Sequence, residues 1–166
     1  MAAAHGYNDG EKLSFDQALT NLKEIITSTD LPVTIDLEGG YRSNPNEVQS
    51  AVIKVLEAGA VGINFEEQII KGEELYSIEE QFTRTKAVRE TTEYTSILIF
   101  INARTDIFLK AAPVDHNNNL LEETIHRAIA YAQSGTNGFF VPGLKDARHI
   151  EKLCEVSPIP SPIPHS

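Results

Sequence analysis

Four short apolar runs alternate along this chain with four amphipathic stretches that have marked ends. Such alternation confines the fold to parallel strands joined by right-handed helical crossovers. The runs are LPVTIDLEG (31–39), AVGINF (60–65), SILIFINA (96–103) and NGFFVPG (137–143). The third is the most apolar, as expected of a strand buried on both faces. The helical stretches carry start and stop signals. In the stretch 44–59, Asn44 is the cap, Pro45 stands at the first position, Glu47 completes a capping box and Gly59 closes the helix. Val48, Val52, Val55 and Leu56 form its buried stripe. Ser77 with Glu80 starts a helix running through Ile78, Phe82 and Val88. Residues 120–135 form another, ended by Gly135, and 146–156 the last. One further helix stands in front, capped by Ser14 with Gln17 and burying Phe15, Leu19, Leu22 and Ile26. Asn117 to Asn119 can cap the helix that follows the polar segment 114–123. The pattern fits an open doubly wound sheet or part of a (β/α)8 barrel, because both place sites at the carboxyl ends of their strands.

At 166 residues the chain has the size of one ordinary domain, and its 41% hydrophobic content supports a core. The formal charge of −10 and pI near 4.9 repel phosphate backbones and anionic lipid, so nucleic acid and membranes are not expected partners. A metal cation suits such a surface better. With one cysteine, Cys154, no internal disulfide can form. Neither a spanning segment nor a signal-peptide pattern is seen, and a cytoplasmic location is expected. Residues 157–166, SPIPSPIPHS, read as a Pro-rich disordered tail.

The strand ends carry the chemistry. Asp36 and Glu38 end the first, Glu66, Glu67 and Gln68 the second, Asn102, Arg104 and Asp106 the third, and Pro142 and Gly143 the fourth. Alternation along a strand points Asp36 and Glu38 the same way. Carboxylates gathered at one place call for a hard cation with oxygen ligands, Mg²⁺ or Mn²⁺. Arg104 adds a planar fork for a carboxylate or phosphonate. Together they describe a site for a small dianionic acid. Gly39 and Gly40 would permit a tight turn and close approach of substrate. Acids at strand ends also cap helices or pair with arginines, and Arg104 with Asp106 also reads as a structural ion pair. The five histidines have no metal-ligand spacing; Glu122 and His126 read as a surface pair. No nucleotide-binding glycine pattern occurs.

The segments PVTIDLEGGY, GAVGINFEEQ, INARTD and GFFVPGL, in that order and with AVRE before the third, resemble the phosphoenolpyruvate mutase/isocitrate lyase superfamily. The resemblance covers roughly residues 6–154. It implies an α/β fold of parallel (β/α) units, a partial TIM (β/α)8 barrel covering about strands three to six, with residues 1–156 as the catalytic domain. It implies a homo-oligomer and a Mg²⁺- or Mn²⁺-dependent enzyme acting on a small dicarboxylate or 2-oxo acid. The expected reaction is cleavage of a C–C bond, with a phosphonomutase acting on a P–C bond as the alternative. By the resemblance, Asp36, Glu38 and Glu66 are metal residues, and Arg104 and Glu66 are catalytic. Arg104, Gly39, Gly40 and Asn102 bind substrate, while Asn102 and Asp106 also support the site from behind. The residues do not single out a general acid or base. Three departures stand out. Glu38 replaces a common Asp, and Tyr41-Arg42 replaces a common Tyr-Gly. The cysteine-containing loop of isocitrate and methylisocitrate lyases is absent from residues 68–84, which argues against isocitrate lyase proper. Segment 69–77, after the gating loop of the family, is expected to be mobile. A complete barrel of this kind needs about 250 residues, so strands one, two, seven and eight are not represented. A competing expectation is therefore a catalytically inactive barrel fragment that acts only as an assembly or interaction partner.

Overall fold

A computed structural model describes residue 6, residues 10–69 and residues 74–160. Four parallel strands lie side by side in chain order: β1 (Thr34–Asp36), β2 (Gly62–Glu66), β3 (Phe100–Arg104) and β4 (Gly138–Phe140). The helices are α1 (Phe15–Ser28), α2 (Pro45–Ala58), α3 (Ile78–Tyr94), α4 (Ile107–Lys110), α5 (Asn118–Gln133) and α6 (Ala147–Val156). The short helix α4 and a 3₁₀ turn at Pro113–Asp115 escaped the sequence reading.

The helix ends follow local chemistry. Ser14 with Gln17 and Ser77 with Glu80 each form a reciprocal capping box. Gly59 closes α2 in the left-handed conformation. Asn44 caps α2, yet the box expected with Glu47 does not form. The Asn44 side chain accepts from the Asn46 amide instead, as suits an Asx turn.

One face of the sheet packs on the helices. Ile35, Ile63, Phe65 and Ile101 meet Leu22, Val48, Val52, Val55 and Val88 in one cluster. Ala103, Phe139 and Val141 meet Phe108, Leu121, Ala128, Tyr131 and Leu153 in another. Each fully buried Leu, Ile, Val or Phe among them contributes roughly 1.5–3 kcal/mol. The alternate residues of the strands, Asp36, Asn64, Glu66, Asn102 and Arg104 among them, line the opposite face and make it polar. This face also corrects the expectation for β3. Ile99, Ile101 and Ala103 are buried, but Phe100 is 50% exposed, and Ile97 and Leu98 lie exposed before the strand begins.

The chain from 157 to 160 is docked. Ile159 packs against the second cluster, and the Phe139 amide donates to the Pro160 carbonyl at 3.0 Å. The rest of the proline-rich tail, and residues 70–73 of the segment expected to be mobile, lie outside the described residues. Among the described residues, no helix is long and apolar enough to cross a membrane.

Candidate active site

The parallel register sets Glu66 opposite Arg104 at the carboxyl ends of β2 and β3. The Arg104 Nη1 donates to Glu66 Oε1 at 2.6 Å. Its Nε and Nη2 donate to the two oxygens of Asp106 at 2.7 and 3.3 Å. The guanidinium is thus held in a fork by one carboxylate and tied across the sheet to another. Three of its five N–H groups are engaged, which leaves two for a ligand. Burial works against the Arg104 charge, but the Asp106 bonds and the nearby Glu66 and Asp36 hold its pKa above the ordinary value. Burial pushes Glu66 up to about 8. Arg104 opposes that rise, while Asp36, Asp106 and Glu38 add to it.

Asp36 ends β1 exposed to solvent, one oxygen accepting from the Glu38 amide at 3.1 Å. Glu38 does not continue the strand. Its φ of +48° is left-handed, so strand alternation no longer governs it. Its carboxylate turns instead to the amides of Gly10, at 2.9 Å, and Glu11. Glu11 replies with its own carboxylate, which accepts from the Tyr41 amide at 2.6 Å. The expectation that Asp36 and Glu38 point together is corrected here.

Gly40, at φ +85°, is needed for packing: a Cβ there would lie 2.9 Å from a ring carbon of Phe65. Its bare Cα faces the core, not a ligand. Gly39 is buried and borders a cavity of about 460 Å³, together with Tyr41, Arg42, Ile69 and Tyr76. That cavity lies beside the polar cluster; Asp36, Glu66 and Arg104 do not line it. Asn102 sits one pleat below Arg104. Its Nδ2 donates to Asn64 Oδ1 at 2.9 Å, and its own Oδ1 is buried without a partner.

Glu67 faces the helices and is fully buried. Thr105 and Tyr131 donate hydroxyl hydrogen bonds to it, and Arg127 donates at 2.8 Å. Burial raises its pKa, against the pull of these partners. Glu67 was read at the end of the second strand, whereas Arg84 was not among the expected site residues; it reaches the carbonyls of Gly39, Arg42 and Ser43 from α3. No signal in the sequence marked Arg84, because the apolar stripe through Ile78, Phe82 and Val88 left it off the expected buried face.

Among the described residues, no three His, Cys, Asp or Glu side chains converge to hold a metal ion. A closed protein cage is therefore not what these residues offer. Mg²⁺ does not require one, since it keeps several waters and takes one or two carboxylates. The crowding of Asp36, Glu38 and Asp106 around Glu66 is an excess of negative charge that a cation would relieve. Asp36 as direct ligand, with Glu66 acting through water, fits that ion and Mn²⁺.

The sequence model for phosphoenolpyruvate phosphomutase matches residues 1–163. The chain belongs to this family. A crystal structure from Burkholderia cenocepacia J2315, designated a phosphonomutase, superposes with a TM-score of 0.92 at 41% identity. The match covers 96% of this chain and 64% of that one. The oxaloacetate decarboxylase of Ectopseudomonas mendocina is 28% identical over 159 residues, 87% of this chain and 50% of the relative. The 2-methylisocitrate lyase of Bacillus subtilis is 22% identical over 165 residues, 95% and 50% respectively. This phosphomutase-family chain therefore spans about half the length of these curated relatives. Its four strands and their helices are successive (β/α) units of a TIM barrel, and the polar sheet face is the face that turns inward in such a barrel.

Proposed function

We propose that the chain contributes the metal and substrate site of a Mg²⁺-dependent lyase that cleaves a C–C bond in a small oxo- or hydroxy-dicarboxylate. The observation that carries this reading is the Arg104 fork on Asp106, tied to Glu66 at adjoining strand ends with Asp36 close enough to shift both. Asp36 would hold the ion directly, with Glu66 through water. Glu38 is left as a contributor at longer range, because its carboxylate is taken by backbone amides. The bound ion would supply positive charge where negative charge develops on the substrate oxygen. Arg104, kept ionised and oriented by Asp106, would receive a substrate carboxylate on its two remaining N–H groups. Lyase and decarboxylase relatives support the carboxylate substrate.

The 41% identical structure designated a phosphonomutase favours a second reading, a rearrangement at a P–C bond. The two differ in product. Cleavage of a hydroxy-dicarboxylate releases a 2-oxo acid, whereas the rearrangement moves a ³¹P resonance from the phosphonate to the phosphate-ester range.

Calorimetry with Mg²⁺ and Mn²⁺, with and without oxalate as an enolate mimic, tests the site. Oxalate binding that requires both the metal and Asp36 is expected. Unchanged metal and oxalate binding in Asp36→Ala would sink the assignment, and a folded chain that binds neither would leave the fold without the chemistry.

A further inference from the structure

The buried face of α3 is largely polar. The apolar stripe expected through Ile78, Phe82 and Val88 is buried only at Val88. Gln81, Arg84 and Thr85 take the interior with it. Arg84 is 2% exposed, and among the described residues it has no carboxylate partner within ion-pair distance. A buried charge ordinarily requires a partner. Here the partners are neutral. Nη1 donates to the carbonyls of Arg42 and Ser43 at 2.8 and 2.6 Å, Nη2 to that of Gly39, and Nε to Gln81 Oε1 at 3.1 Å. The guanidinium also lies over the Tyr76 ring, 4.3 Å from its centroid. Gln81 Nε2 in turn donates to the Glu66 carbonyl at 3.1 Å.

These bonds join the two strand ends that carry the acids. The loop after β1 has left-handed backbone at Glu38, Gly40 and Tyr41, and two of these are not glycine. Such residues persist only where the surroundings over-determine them. Arg84 supplies that constraint from α3, while Glu11 and Glu38 supply it from the other side. The loop conformation also presents the Glu38 amide to Asp36.

We infer that Arg84 is a positioning residue of the site. With Gln81 it locks the 38–43 loop and the end of β2 in one frame, and so aims Asp36 relative to Glu66. Lysine cannot reproduce this, because one ammonium cannot span three carbonyls and the Gln81 side chain while stacking on a ring.

The test compares Arg84→Lys with Arg127→Lys. Arg127 is a control of similar burial that bonds Glu67, Tyr131 and the Tyr76 carbonyl and, among the described residues, makes no hydrogen bond to the 38–43 loop. Amide hydrogen exchange is read at Glu38 and Gly40, whose N–H groups bond Asp36 and the Leu37 carbonyl. Arg84→Lys should speed exchange at both by about tenfold or more, and Arg127→Lys should leave both near wild type. Gln81→Met, which frees the Glu66 carbonyl and keeps the arginine, should speed the same amides by roughly threefold. It carries the test if Arg84→Lys does not fold. Exchange at these amides within about twofold of wild type in a folded variant would overturn the inference. Mn²⁺ titration is the second readout, and it alone rests on the proposed function: about a tenfold weaker Kd is expected for Arg84→Lys only. A wild-type chain silent to Mn²⁺ would sink the functional reading, while the exchange data would still decide the role of Arg84.

Discussion

At the scale of single residues, neighbours in sequence have different fates. Asp36 and Glu38 are two positions apart, yet one ends a strand and the other turns left-handed into the backbone of residues 10 and 11. Gly40 joins them as a residue chosen for shape. Gly40→Ala should lower stability by roughly 1–3 kcal/mol, seen as a fall in Tm, because it strains φ and presses on Phe65. Glu66 makes a prediction about pH. Its folded pKa of about 8 exceeds the ordinary carboxyl value, so between about pH 4.5 and 8 the folded chain keeps a proton that the unfolded chain has released. Stability contributed by this group is therefore complete below that window and falls as pH rises through it. The slope is at most about 1.4 kcal/mol per pH unit. Denaturant melts across pH 5–8 should show the slope in wild type and lose it in Glu66→Gln.

At the scale of elements, the caps and the buried networks contribute differently. Ser77→Ala removes one half of a reciprocal box and should cost about 1 kcal/mol. The network on α5 is of another kind. Arg127 joins buried Glu67 and Tyr131 to the carbonyl of Tyr76, and it also pairs with Glu123, which is 48% exposed. Arg127→Met would strand a buried carboxylate and should cost about 3–5 kcal/mol. Glu123→Ala removes only the exposed partner and should stay within about 1 kcal/mol of wild type in the same urea titrations. The caps were legible because they are spelled out over four consecutive residues. The interior of α3 was not, because periodicity marks which positions face inward only when they are apolar.

At the scale of the whole molecule, the sheet has one face on helices and a polar face that carries the site. The Phe139 amide on the β4 edge is satisfied by the Pro160 carbonyl, a covering that blunts strand pairing there. At the amino ends of the strands, Leu31, Leu98 and Phe100 stand exposed, Leu98 by 74%. Exposed apolar side chains at one end of a sheet favour association. Sedimentation velocity at rising concentration should show self-association, weakened in Leu98→Lys with little change in Tm. An unchanged distribution in the variant would place the contact elsewhere.

The order of the four strands and the five longer helices along the chain, the parallel sense of the strands and the gathering of Asp36, Glu66, Arg104 and Asp106 at one end of the sheet were all determined by sequence alone. Caps, periodicity and strand-end polarity act between neighbours, so each leaves a local mark. The clasp of Glu38 on residues 10 and 11, the hold of Arg84 on Gly39 and the bond from Tyr131 to Glu67 join positions 28, 45 and 64 residues apart. Only the tertiary structure decided these, because a carboxylate or guanidinium takes whichever donors or acceptors the folded backbone brings to it, and that meeting has no periodicity in the chain.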